Sequence, residues 1–329
     1  MYLNNYQHLI NKETHILIFL FLFSFLVRVP IIFIFGDVGL ENEWKILVNN
    51  LTDHGKLSLS WPRPNPIYLA YDEFFVPSVL MPPLYAFYLY FFKVLNFSSS
   101  IYILVVLFSQ IILSSLSVII FYKINKLFFS NKISIIGALI FSLFPLHVYA
   151  CGQISSIILQ SFLTVVFFYY FLKTTKKGNF INICFFSLTS GLLILLRGEF
   201  VALFILTILY MAIFLKTRIK NILIILILTI FVISPYLIRN MLVADTIVIA
   251  KSVGFNLWRG NNPDANVEGN LTDHFDETSY RLDINVLDAD LSEQINKVPK
   301  DEYYVTEIDK VFFNPFILLL LPIIFQQEE

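Results

Sequence analysis

An all-α, polytopic integral membrane fold of about eight spanning helices, with external interfacial helices, is what this sequence predicts, on three observations. The chain of 329 residues is 57% hydrophobic and only 14% charged, with 35 Phe and a mean hydropathy of +0.73. Soluble domains are typically about 45–50% apolar and about 25% charged. Eight apolar runs, at 16–35, 101–122, 133–150, 154–172, 180–196, 199–215, 221–238 and 311–325, lie near the ~20 residues needed to cross hydrocarbon. The short loops between them carry the basic charge: Lys123, Lys126 and Lys132, then Lys173, Lys176 and Lys177, then Lys216, Arg218 and Lys220. The positive-inside rule puts all three loops in the cytoplasm.

Residues 1–15 are polar and cytoplasmic on this scheme. The 16–35 run is longer than a signal-peptide core and ends in Phe-Gly-Asp, so it is expected to be retained as the first span. Arg28 and Pro30 interrupt it late. Arg28 either snorkels to the outer interface or pairs with an acid there, Asp37 being the partner at hand. Asp37 follows the run by one residue, where hydrocarbon gives way to water. A carboxylate at such a boundary is partly desolvated, which makes it a better proton acceptor near neutral pH. Ordinary water-facing flank acids are the bland alternative.

Residues 41–54 form an amphipathic helix. Trp44, Leu47 and Leu51 share one face, Glu41 and Lys45 an i,i+4 pair, and Gly55 stops it. It is expected to lie flat on the membrane. The Pro-rich loop 58–80 predicts no regular structure. If 82–97 crossed the membrane, the basic loops would fall outside. That segment is therefore expected to be an interfacial or re-entrant helix, opened by Pro82 and Pro83, with Tyr85, Tyr88 and Tyr90 at the headgroups. A tight external turn, 146–156, brings His147, Gln153 and Ser156 to the compartment of Asp37; a lone histidine there is more often a packing residue than a ligand.

The runs 180–196 and 199–215 meet at Leu196-Arg197-Gly198-Glu199. Charges between apolar runs mark a site or a self-satisfied Arg197–Glu199 pair. After 221–238 come Arg239 and a turn-rich stretch with Trp258, Arg259, Asn261 and Pro263, the residue types that stack on sugars and hold phosphate. The organisation is a core at 16–238 containing the external loop 36–100, an external region at 239–310, and a final span and C-terminus at 311–329. Asn-Leu-Thr-Asp-His occurs at both 50–54 and 270–274, a coincidence without a surrounding repeat. Cys151 and Cys184 fall on different spans and define neither a disulfide framework nor a metal site. No Gly-rich phosphate loop is present and no nucleic-acid partner is implied.

An acid just after the first span, the Pro-Pro-Leu-Tyr helix, Leu-Leu-Arg-Gly-Glu, Pro-Tyr-Leu-Ile-Arg-Asn and Asn-Leu-Trp-Arg-Gly-Asn-Asn-Pro, all on one side, resemble a bacterial membrane glycosyltransferase of the GT-C superfamily. The likeness is to dolichyl-phosphate-mannose protein mannosyltransferase-like and aminoarabinose transferase-like enzymes and covers residues 15–262. It implies inverting transfer of a sugar from a polyprenyl-phosphate donor to an acceptor, whether protein, lipid or glycan, at the periplasmic face of the inner membrane. On that resemblance Asp37 is the catalytic base or orients it, with Glu43 next, and Arg197, Arg239 and Arg259 hold the carrier phosphate. His147, Gln153, Trp258 and Asn261 are left to contact sugar or acceptor. Relatives often carry an acid in the second external turn, where this chain has Gln153, Ser155 and Ser156. A second carboxylate or a metal ligand therefore has no counterpart, and a divalent metal remains an optional cofactor. The rival readings are a transporter or flippase for lipid-linked sugars and an O-antigen ligase or polymerase. Transporters usually place broken helices near mid-membrane in repeated halves, whereas the polar groups here crowd the external ends.

Overall fold

A computed structural model describes residues 2–40, 42–58, 78–79, 81–176, 178–244 and 247–250. Every regular element among them is a helix: α1 (Tyr2–Phe35), α2 (Asn42–His54), α3 (Leu84–Lys93), α4 (Ser99–Asn125), α5 (Asn131–Ser142), α6 (Pro145–Ala150), α7 (Ile157–Lys176), α8 (Phe180–Leu196), α9 (Phe200–Ile213) and α10 (Ile219–Ala244). The chain divides into two compact units, 1–57 with 82–239, and 58–81 with 240–329. In the second, Asn240 Nδ2 donates to the Val248 carbonyl at 2.7 Å. All that follows concerns the first.

Among the described residues, four helices are long and apolar enough to cross a membrane: Glu13–Phe35, Ser99–Asn125, Ile157–Lys176 and Ile219–Val243. They mark a membrane-integral protein, with fewer spans among the described residues than the eight expected. Two of the expected spans shorten, to Asn131–Ser142 and Phe200–Ile213; the third apolar helix below spanning length, Phe180–Leu196, keeps the bounds expected of it, and the 311–325 run lies outside the described residues. The cause is local. Pro145 cannot continue a helix and disfavours helical geometry in the residue before it, so Phe144 turns extended (φ −62°, ψ 116°) and the 133–150 run splits into α5 and the one-and-a-half-turn α6. Arg197, extended at φ −150° and ψ 119°, ends α8, with Gly198 following it. The expected interfacial helix is the ten-residue α3, rising about 15 Å, half the hydrocarbon thickness.

Helix α4 is the hub. Half of its apolar window is buried against 22% for each of the other three spans, because it packs on α1, α5 and α7 while α7 in turn packs on α8. Leu20, Val118, Tyr122 and Ala138 form the core where α1, α4 and α5 meet. The apolar face of α2 is covered by protein: Leu47 and Val48 are buried, and Trp44 stands edge-on to Tyr85 at 4.8 Å. Gly55 takes φ +64° and ends α2, as glycine does at no steric cost.

The basic loops gather at one end of this unit. Lys126 pairs with Glu13 at 2.8 Å, and Lys176 donates to the Leu127 carbonyl at 3.3 Å. A Cβ on Gly178 would lie 3.0 Å from Asn221 Nδ2, which brings the third loop alongside. Following the chain from there, α1, α8 and α10 each deliver their C-terminal ends, with Asp37, Arg197 and Arg239, away from the basic loops.

Candidate functional site

Helix α1 closes with Gly36 N–H on the Ile32 carbonyl (3.1 Å), and the chain then docks onto the 152–154 turn. Asp37 N–H donates to the Gly152 carbonyl at 2.8 Å, Ile154 N–H donates to Asp37 Oδ2 at 2.6 Å, and Gln153 Nε2 donates to the Phe35 carbonyl at 2.8 Å. Close approach is the condition. A Cβ on Gly152 would meet Ile31 Cγ2 at 3.0 Å and the Phe35 carbonyl at 3.4 Å. Asp37 is half-buried, with one oxygen anchored and the other without a partner among the described residues.

The turn is held from beneath. Gln110 of α4 donates through Nε2 to the Gln153 carbonyl at 2.8 Å and accepts at Oε1 from the Tyr85 hydroxyl at 3.1 Å. Tyr85 stacks on Tyr88, whose hydroxyl bonds Ser109 Oγ. Burial first, then Tyr88, Tyr102 and Asp37, pushes the Tyr85 phenol well above its ordinary range; burial pushes Tyr88 up to about 12 against the Ser109 hydrogen bond. Both phenols are neutral donors at working pH. The sequence assigned these tyrosines to the headgroup layer, and it gave no sign that Gln110, mid-span and 43 positions from Gln153, would join them. A polar residue inside an apolar span was the signal available.

Arg28 overturns both of its expected roles. It neither snorkels nor meets Asp37: its exposure is 0%. Nη1 donates to Ser24 Oγ (2.6 Å), the Ser24 carbonyl (2.9 Å) and Ser142 Oγ (3.5 Å), and Nε donates to Ser114 Oγ (2.8 Å). Nη2 has no acceptor among the described residues.

The other named residues divide. Arg197 Nη1 meets Glu199 Oε1 at 3.0 Å, both side chains exposed (42% and 66%), the self-satisfied pair. Arg239 Nη2 donates to the Leu57 carbonyl at 3.0 Å, with its guanidinium 5.8 Å from the Tyr236 ring centre. Glu43 is exposed in the first turn of α2. His147 on α6 lies edge-on to Phe141 (5.0 Å) and Phe144 (5.5 Å), 3.4 Å from Ser161 Oγ through Nδ1. Burial lowers its pKa, and the Arg28 charge adds to the effect. No hydrogen bond or ion pair joins Arg197, Arg239 or His147 to Asp37 among the described residues. Glu41, Trp258, Arg259 and Asn261 lie outside them. No group of three His, Cys, Asp or Glu side chains that could hold a metal ion occurs among the described residues. No protein-family model matches the chain, and no curated protein matches it significantly.

Proposed function

We propose that the chain is a membrane glycosyltransferase of the GT-C kind, moving a sugar from a polyprenyl-phosphate carrier to an acceptor hydroxyl at the periplasmic face of a bacterial inner membrane. The observation that carries this is the anchoring of Asp37, the acid the resemblance makes the base, onto the second external turn, where relatives often carry a further acid and this chain has Gln153. One carboxylate oxygen is fixed by Ile154 N–H, so the free oxygen is aimed rather than mobile, as a general base requires. The acceptor oxygen attacks the anomeric carbon, and Asp37 takes its proton. The bond from that carbon to the phosphate oxygen breaks, with the electron pair leaving on phosphate and configuration inverted. A cation stabilises the departing charge. Arg239, which donates to the Leu57 carbonyl, and Arg197, which meets Glu199, are the two described candidates for that cation.

Incubating the purified chain with a radiolabelled polyprenyl-phosphate sugar and membrane extract should move label into an acceptor, and Asp37→Asn should stop it. Label that crosses a vesicle bilayer still attached to its carrier would establish the second reading, a flippase. That reading draws on Arg28, because a buried charge inside a span with no counter-charge among the described residues commonly marks a ligand pathway.

A further inference from the structure

We propose that Arg28 is the anion-binding centre of a phosphate site enclosed by α1, α4 and α5. A guanidinium stays charged at any accessible pH, and a buried ion is tolerated only when paired and fully hydrogen-bonded. Arg28 has no exposed surface, yet its acceptors are all neutral: the hydroxyls of Ser24, Ser114 and Ser142 and the Ser24 carbonyl. The Lys126–Glu13 and Arg197–Glu199 ion pairs lie elsewhere, and Asp37 is bound to Ile154.

Two titratable groups face Arg28, both from the α6 segment, and neither supplies the missing charge. The Cys151 thiol is pushed up by burial and donates to the His147 carbonyl at 3.2 Å. His147 is held neutral, its pKa lowered by burial and by Arg28 itself. Among the described residues, the cluster therefore carries one uncompensated positive charge and one unused donor, Nη2.

A tetrahedral oxyanion meets both needs. Nη2 has protons to give, and the three serine hydroxyls, each accepting from Arg28, keep their own. The longest of these contacts is the 3.5 Å one to Ser142, the last residue of α5 just before the Phe144–Pro145 break. A charge-assisted bond from phosphate outweighs that contact. On the glycosyltransferase reading, the anion is the phosphate of the lipid carrier or of the spent carrier after transfer, and that identification alone rests on the reading.

The test is binding, not turnover. The purified full chain in a neutral maltoside detergent is titrated with dodecyl phosphate, with inorganic phosphate and with dodecanol, following thermal unfolding. Dodecyl phosphate should stabilise the wild type, dodecanol should not, and Arg28→Gln should raise the apparent Kd at least tenfold. Inorganic phosphate acting equally well would make the ligand a free anion at the same residue; phosphate acting only with a chain would make it a lipid. Arg28→Lys and Ser142→Val, which keep the charge, should bind with intermediate affinity and stand in if Arg28→Gln does not fold. No stabilisation by either phosphate, or wild-type affinity in Arg28→Gln (in Arg28→Lys and Ser142→Val together, should it not fold), overturns the proposal. Phosphate bound through Arg28 without any sugar transfer would sink the enzyme reading alone. Transfer with Arg28-independent phosphate binding would sink this site alone.

Discussion

Two polar interruptions of the apolar chain, one around Asp37 and Arg28 and one at Arg197–Glu199, contain the same residue types and are resolved in opposite ways. At the first, groups from α1, α4, α5 and the 151–156 turn bind one another across 86 to 118 positions of sequence. At the second, an arginine meets a glutamate two residues away, and both stay exposed. An exposed pair contributes ~0–1 kcal/mol, whereas a buried charge must find its partners from whatever packs against it. The difference teaches that a charge in this chain is informative in proportion to how far its partners lie. The knitted end is where chemistry is proposed, and the self-contained turn is where it is not expected.

The largest expected effect tests that division directly. Asp37→Asn keeps an acceptor for Ile154 N–H but removes the base, so sugar transfer should fall ~10²–10⁴-fold. Glu43→Gln and Glu199→Gln should each cost much less. Because no Arg28–Asp37 pair exists, Arg28→Gln should not rescue Asp37→Asn; recovered activity in the double variant would restore the pairing and remove the catalytic assignment. Next in size, Arg239→Gln should raise KM for the lipid donor about tenfold or more, read from initial rates, if the guanidinium contacts carrier phosphate. Unchanged donor kinetics would take it out of the site.

The knitted end should also be intolerant of volume. Gly152→Ala forces a Cβ to 3.0 Å from Ile31 and to 3.4 Å from the Ile31 and Phe35 carbonyls, and should destabilise by about 1–3 kcal/mol in thermal unfolding. Arg197→Gln, at the self-contained turn, should cost under about 1 kcal/mol and leave donor KM in place. A large loss there would mean Arg197 has a partner that its Glu199 contact conceals. The smallest effect is a pH slope. The folded pKa of His147 lies below the usual 6.5, so above pH ~6.5 both folded and unfolded chains are neutral at this position. As pH drops further the unfolded chain takes a proton that the folded His147 refuses, and stability declines until pH passes the folded pKa. His147→Phe should flatten that decline in melting curves recorded between about pH 7 and 5.

Helix class and most helix positions followed from the sequence alone, because apolar runs, prolines and a C-capping glycine act on their own neighbourhood. The 180–196 run, the 42–54 helix with Gly55 at its end and the basic loops were all legible in this way. Span count was not, since run length passes through Pro145 without registering the break it causes. Asp37 and Gln153 were picked out as polar groups at a span end, but the bonds that join their segments depend on α1 and the 152–154 turn approaching closely at Gly152. The company of Arg28 was beyond reach for the same reason. Ser24, one turn earlier, could be paired with it by helical spacing, while Ser114 and Ser142 come from 86 and 114 residues away. Local propensity and hydropathy decide where helices form; which buried polar groups share a site is decided only when the packing of α1, α4 and α5 fixes their neighbours.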